Sequence, residues 1–296
     1  MQALWMLLAA FSFASMAVCV KIASAWFNSA ELVFWRGLIG MAVMWLVARH
    51  QGITLATPRL AMHAWRSLVG VLSLGAWFYA IAGLPLATAM TLNYMSSVWI
   101  AAFLVGGALL AWNPRLGPLR QGPLAIAVFL GFAGVVLMLR PTIDQKQVFA
   151  GVVGLLSGLS AAFAYLQVMA LGRGGEPESR TVFYFAVGSA LAGAAAMVLM
   201  GVSAWSWAHA AWLLPVGLLA SLGQWSMTRA YSHGATLVVA SLQYSGIVFG
   251  AFYSVALFGD TIAPMGWMGM ALIVASGLAA TVLRSRAAPD APAEDH

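Results

Sequence analysis

Stretches such as VWIAAFLVGGALLAW at 98–112 and GMALIVASGLAATVL at 269–283 are apolar on every side. A helix made from them has no polar face to turn toward water. Runs of this kind recur from end to end, mostly at the length of about 20 residues that crosses about 30 Å of hydrocarbon. Turn residues and charges divide them into ten predicted spans, at 3–25, 30–48, 65–83, 86–111, 122–139, 149–171, 181–201, 210–231, 235–258 and 265–284. The separators are polar or rich in Pro and Gly. HQGITLATPRL joins spans two and three, NPRLGPLRQGP four and five, RPTIDQK five and six, and GRGGEPESR six and seven. Gly83 with Pro85, and His233 with Gly234, mark tight turns. The final RSRAAPDAPAEDH is polar and Ala/Pro-rich, a pattern that predicts disorder.

Composition settles the solvent. Of 296 residues, 62% are hydrophobic and 7% charged, against about 25% charged in a soluble domain. The expected setting is a lipid bilayer. The opening MQALWMLLAAFSF lacks a basic n-region and a clear cleavage site, so it reads as a retained first span and not as a signal peptide. The lone Cys19 allows neither an intrachain disulfide nor a cysteine metal site. A pI near 9.9 is no nucleic-acid signature here, because Lys and Arg sit beside span ends without a basic stripe interleaved with aromatics. No cofactor, metal or nucleic-acid partner is expected. With a cytoplasmic N-terminus, Arg49, Arg59, Arg66, Arg115, Arg120, Arg173, Arg180, Arg229, Arg284 and Arg286 lie inside, and Lys21, Arg36, Arg140 and Lys146 lie outside. Ten against four favours a multi-pass protein of the cell's inner (plasma) membrane with both termini cytoplasmic.

Shifted by 148 residues, the chain matches itself in order. LLAAFSFA (7–14) lies over LLSGLSAA (155–162), LGAW (74–77) over LGQW (222–225), and Ala87–Thr88 over Ala235–Thr236. LNY (92–94) meets LQY (242–244) at a shift of 150. Matched halves are common in transporters. Five spans per half is an odd number, so the second half enters the membrane from the opposite side. The expected fold is therefore all-α and integral to the membrane, with ten transmembrane helices as two inverted five-helix repeats around a central cavity. The first repeat takes residues 1–140, an outer linker 141–148, the second repeat 149–284, and a disordered cytoplasmic tail 285–296.

Two polar stretches interrupt the apolar runs: TLNYMSS at 91–97 and SLQYSGI at 241–247. At 1.5 Å per residue, Tyr94 lies about 12 Å and Tyr244 about 13 Å from its span end, close to the midplane. Tyrosines of an interfacial belt would sit near the ends. A polar group at that depth needs a partner or water. Asn93 and Gln243 therefore either bridge neighbouring helices or, with Tyr94 and Tyr244, line a wet cavity and bind a solute. Trp77 and Trp225 hold equivalent places in spans three and eight, and Tyr79, Trp99, Tyr165 and Gln224 are also internal. Such a set suits a small, partly apolar organic solute, or a cationic one held by cation–π attraction. Each Trp is equally able to pack or face lipid.

Lys21, Glu31 and Arg36 fall near the outer ends of spans one and two. One reading has the cations snorkelling to the interface with Glu31 paired to either; the other makes them a gate or a contact for solute charge. Asp260 reads as a solvated cap. No carboxylate lies near the midplane, so a buried proton relay has no obvious carrier. Gly154–Gly158 and Gly246–Gly250 have the GxxxG spacing of close helix contacts.

FWRGLIG opening span two, WFYAIAGLPLATAMTLNY across spans three and four, and LQYSGIVFGAFYSVALFGD in span nine appear in an order that resembles the drug/metabolite transporter superfamily, in its EamA-type branch. The resemblance covers nearly the whole chain. It implies a central cavity between inverted repeats, alternating access and a small-metabolite substrate. Members export amino acids or metallophores, or import solutes such as S-adenosylmethionine or riboflavin. The chain departs from the family pattern at Val98 and Ile247, where proline often follows the polar pair, and at Asn113, where an acid is common.

A secondary transporter of a small organic metabolite, amino-acid-like or related, with export slightly favoured, is the main expectation; import of a larger metabolite is the alternative. No GxxxxGK[ST] occurs, which argues against ATP drive by this chain. A channel would want a continuous polar pore or a charged ring. An intramembrane enzyme would want a nucleophile–base set, and His50, His63, His209, His233 and His296 all fall outside the central region, so no enzymatic activity is expected. The oligomeric state stays open, a homodimer included.

Overall fold

The computed structural model describes residues 2–96, 98–100, 102–103, 118–139, 145–233 and 242–287. Among the described residues there is no strand. The helices are α1 (Gln2–Ala23), α2 (Ser29–His50), α3 (Leu60–Gly83), α4 (Leu86–Asn93), α5 (Pro118–Leu139), α6 (Gln145–Arg173), α7 (Glu178–Met200), α8 (Leu213–His233), α9 (Ser245–Phe258) and α10 (Pro264–Ala287), with a single helical turn at Trp207–Ala210. Linker residues 113–117 and 140–144, the end of expected span four, the start of span nine and the tail 288–296 lie outside the described residues.

Among the described residues, five helices are long and apolar enough to cross a membrane: α1, α2, α3, α6 and α7. α4 is cut short at Asn93, and α9 starts only at Ser245. Surface chemistry points the same way as length. Val198 and Leu199 of α7 are 85% and 88% exposed, which a water-soluble protein would not tolerate over a helix this apolar. The protein is all-helical and multi-pass.

Helix contacts follow a rule. α2 lies along α7, α5 along α10 and α4 along α9. α1 lies on α8 as α6 lies on α3; α1 meets α9 as α6 meets α4; α2 meets α8 as α7 meets α3. Replacing each helix by the one five places away returns the most extensive of these pairs, although α3 with α4 and α1 with α4 have no comparable counterpart. Small residues allow the closest approaches. A methyl on Gly37 would strike the backbone at Ala186 and Ala190, and one on Gly193 would strike Phe34, so α2 and α7 cross nearly backbone to backbone.

The centre of the bundle is α4, whose residues are buried apart from partly covered Thr88. Its α-helical ladder stops at Tyr94 and Met95. There the Met95 N–H bonds the Leu92 carbonyl at 3.2 Å, a tight i−3 turn. The related stretch behaves alike: Gln243 is helical, Tyr244 is a turn, and the Ile247 N–H bonds the Tyr244 carbonyl at 3.0 Å. Both interruptions form without proline, at Val98 and Ile247 alike. Glycine gives the space. A methyl on Gly158 of α6 would meet the carbonyl oxygens of Leu92 and Asn93, and one on Gly246 would meet the Tyr94 ring.

Candidate functional site

The site is built from helix faces. On α3, Arg66, Gly70, Ser73, Leu74 and Trp77 recur at helical spacing and line one side of a central cavity. Ala161, Ala164 and Tyr165 form the matching stripe of α6, and Phe13 with Met16 that of α1. α2 contributes Arg36, α7 Phe185 and α8 Gln224; Asn93 and Tyr94 come from the interrupted end of α4. The cavity has a volume of about 50 Å³, well under the about 300–1,000 Å³ of drug-sized ligand sites. A metabolite enters only if the helices separate.

Hydrogen bonds hold the α3–α4–α6 corner. Asn93 Nδ2 donates to Ser157 Oγ at 3.0 Å, Ser157 Oγ donates to the Gly154 carbonyl at 2.6 Å, and Ser73 Oγ donates to the Ser157 carbonyl at 2.8 Å. Asn93 thus bridges two helices and lines the cavity as well.

The charge of the cavity comes from two arginines. Arg36 and Arg66 are 4% and 3% exposed. Their guanidinium carbons lie 5.0 and 4.0 Å from the centroid of the Phe185 ring, so their separation cannot exceed the sum of those distances. Like charges at about 9 Å repel by about 2 kcal/mol at an effective dielectric near 20. Gly70 makes this possible: a methyl there would collide with the Arg66 guanidinium and the Phe185 ring. Arg66 Nη2 donates to Gln224 Oε1 at 3.3 Å. Arg36 Nε, Arg66 Nε and Nη1, and Trp77 Nε1 are buried without a hydrogen-bond partner. Among the described residues neither arginine has an ion pair.

These placements correct three expectations. Arg36 is not an interfacial cation. The capping box of Asn28 and Glu31 starts α2 at Ser29, and seven residues then carry Arg36 about 10 Å inward. Arg66, counted toward the inside at the start of span three, is buried within the helix, because α3 begins at Leu60, ahead of the expected 65. Glu31 pairs with neither Lys21 nor Arg36. It accepts from the Asn28 N–H at 2.8 Å, the Ser203 N–H at 3.0 Å and Ser203 Oγ at 2.6 Å, joining α2 to the loop after α7. Two guanidiniums in the cavity also oppose a cationic solute.

Of the residues singled out from the sequence, Trp77, Asn93, Tyr94, Tyr165, Gln224 and Arg36 meet in the cavity. The others stand elsewhere. Tyr79 is 42% exposed and sits edge-on to Phe149. Trp99 contacts Phe132 and Phe103. Trp225 contacts Trp5, with Arg229 over both rings. Gln243 accepts from Tyr231 Oη at 2.6 Å and bonds Tyr165, so it stands behind the cavity wall. Tyr244 is buried against Gly277 of α10. Lys21 donates to the Leu84 carbonyl at 2.6 Å, closing the C-terminal end of α3. Arg66, Ser73 and Phe185 escaped sequence reasoning, although the spacing of Arg66, Gly70, Ser73 and Trp77 already places them on one helix face.

A second charged cluster ties the α2–α3 loop to the α6–α7 loop. Glu176 accepts from Thr57 Oγ1 at 2.8 Å and from Arg180 Nη1 at 3.0 Å, and lies 3.3 Å from His63 Nε2. Burial pushes the Glu176 carboxyl up, but the hydrogen bonds from Thr57, Arg180 and His63 outweigh it and hold the group below its ordinary value. Arg180 also donates to the Thr54 carbonyl, and Arg59 to that of Gly174. Among the described residues no group of His, Cys, Asp and Glu is placed to hold a metal ion.

No protein-family profile matches the chain. Individual proteins do. The chain is 32% identical over 272 residues to the pseudopaline exporter CntI of Pseudomonas aeruginosa, covering 92% of this chain and 93% of that one. It is 28% identical to a riboflavin transporter of Rhizobium johnstonii, over 93% of this chain and 89% of that one. A solved crystal structure superposes with a TM-score of 0.66 at 19% identity, covering 96% of this chain and 98% of its own, which is a likeness of fold.

Proposed function

The chain belongs to the transporter family of the pseudopaline exporter CntI of Pseudomonas aeruginosa, and from that premise we propose that it is a secondary active exporter of a small organic metabolite. The halves 1–140 and 149–284 are two inverted five-helix repeats of the EamA type that rock about the cavity, in an inner membrane with both termini cytoplasmic. The helix contacts support this reading, since exchanging the halves preserves the most extensive of them. The observation that carries the function is the buried cavity where α2, α3, α4, α6 and α8 bring polar side chains together around Phe185 of α7. Substrates of inverted-repeat transporters bind at that place, near interrupted helices, and the turns at Tyr94 and Tyr244 supply the interruptions.

The working site is Asn93, Tyr94, Trp77, Tyr165, Gln224 and Arg36, with Gln243 supporting Tyr165. Export follows from the exporter relative. Import of a larger metabolite is the second reading, favoured by the riboflavin transporter at 28% identity. In liposomes, Asn93→Ala with Gln243→Ala should abolish solute counterflow while the protein still inserts and stays monodisperse. Unchanged counterflow in that double variant would remove the site assignment. Net efflux from intact cells against net uptake into them decides the direction.

A further inference from the structure

We propose that the cavity takes an organic anion carrying at least two carboxylates, held by Arg36 and Arg66, whose guanidiniums both lie against the Phe185 ring. This rests on the transport reading of the same site and names its substrate class. Every unpartnered buried polar group identified on the cavity's lining residues is a donor: Arg36 Nε, Arg66 Nε and Nη1, and Trp77 Nε1. The ligand must therefore bring acceptors. Two guanidiniums without an acid leave the cavity with a charge that no described side chain balances. Buried charge without a partner is costly, so a structure retains it where a ligand supplies the partner. Guanidinium is planar, stays charged at any physiological pH and matches a carboxylate bidentately.

The surroundings fit that ligand class and oppose others. Gln224 holds Arg66 from one side at 3.3 Å, and Gly70 leaves room for the same guanidinium against Phe185. The Phe185 ring already has two guanidinium carbons within 5.0 Å of its centroid. It is therefore occupied as a cation–π platform and gives a cationic solute nothing. A neutral solute would leave both charges uncompensated. The aromatic wall of Trp77, Tyr94 and Tyr165 is apolar enough for the carbon skeleton between the acid groups.

The test uses the full-length protein in detergent and in liposomes. Oxalate, succinate and citrate are the probes, against spermidine, leucine and riboflavin, all at matched ionic strength. Wild type should gain thermal stability with at least one polycarboxylate and with neither spermidine nor riboflavin. Arg36→Met and Arg66→Met should each melt higher than wild type without ligand, because the uncompensated charge is gone. Each should also bind the stabilising polycarboxylate about thirtyfold more weakly or worse. Lower melting in both variants, together with no polycarboxylate shift in wild type, would make the arginines structural and overturn the proposal. Counterflow separates the two readings. Exchange of leucine, riboflavin or spermidine with no exchange of acids leaves the transporter standing and removes the anion. No exchange of any probe counts against the transport reading itself.

Discussion

Two clusters built around arginine can be set side by side. At the α2–α3 and α6–α7 loops, Arg180 meets Glu176 at 3.0 Å, with Thr57 and His63 completing the carboxylate's partners. In the central cavity, Arg36 and Arg66 share a phenyl ring and have no acid. The chain thus supplies a counter-charge where an arginine fastens two loops, and withholds it where an arginine lines a cavity. A satisfied cluster fixes one geometry; an unsatisfied one waits for a partner that arrives from solution. The loop cluster accordingly reads as architecture and the cavity as a site. Glu31 belongs with the first kind, since its carboxylate is taken up by Asn28 and Ser203.

Putting an acid into the cavity should break the contrast with the largest effect. Gln224→Glu sets a carboxylate beside Arg66, at the place where Gln224 Oε1 now accepts from it at 3.3 Å. The ligand-free protein should melt higher, while exchange of polycarboxylates in liposomes should fall about a hundredfold. Retained exchange in Gln224→Glu would mean that Arg66 does not hold the solute. Removing the acid from the other cluster should cost less. Glu176→Gln leaves Arg180 and His63 without their carboxylate, and unfolding in detergent should be easier by about 3 kcal/mol. Anion affinity should barely change, because the cavity arginines are untouched. A loss of affinity equal to that of the cavity variants would erase the distinction between the two clusters.

The smallest effect is the response to acid. Glu176 is held below its ordinary pKa, so its contribution to stability is complete above the unfolded-state value. That contribution is lost as pH falls through the folded value. Wild type should therefore lose melting temperature on the acid side faster than Glu176→Gln, and the two curves should converge at low pH. Parallel curves would place the acid sensitivity in another group.

Much of the fold was legible because the bilayer imposes simple rules. Apolar length located α1, α2, α3, α6 and α7, and Gly83 with Pro85 located the turn where α3 ends and α4 begins. The interruption at Tyr94 was only half legible. Amide–tyrosine pairs inside apolar runs signalled a special place, but its turn depends on the close passage of Gly158, which lies far along the chain. The paired stretches also parted company. Asn93 and Tyr94 line the cavity, whereas Gln243 supports Tyr165 from behind and Tyr244 turns to Gly277. Local likeness carries the turn from one half to the other; it does not carry which helix the side chain meets.

The sequence by itself determined the solvent, the helical class and the presence of deep polar positions, because these depend on composition and on spacing along one helix. The tertiary structure alone decided that Arg36, counted toward one side of the membrane, and Arg66, counted toward the other, share one cavity. They run inward on different helices and meet at Phe185, a residue of α7 remote from both in the chain. Whether a buried charge is neutralised depends on what faces it across that distance. No pattern along a single helix records it.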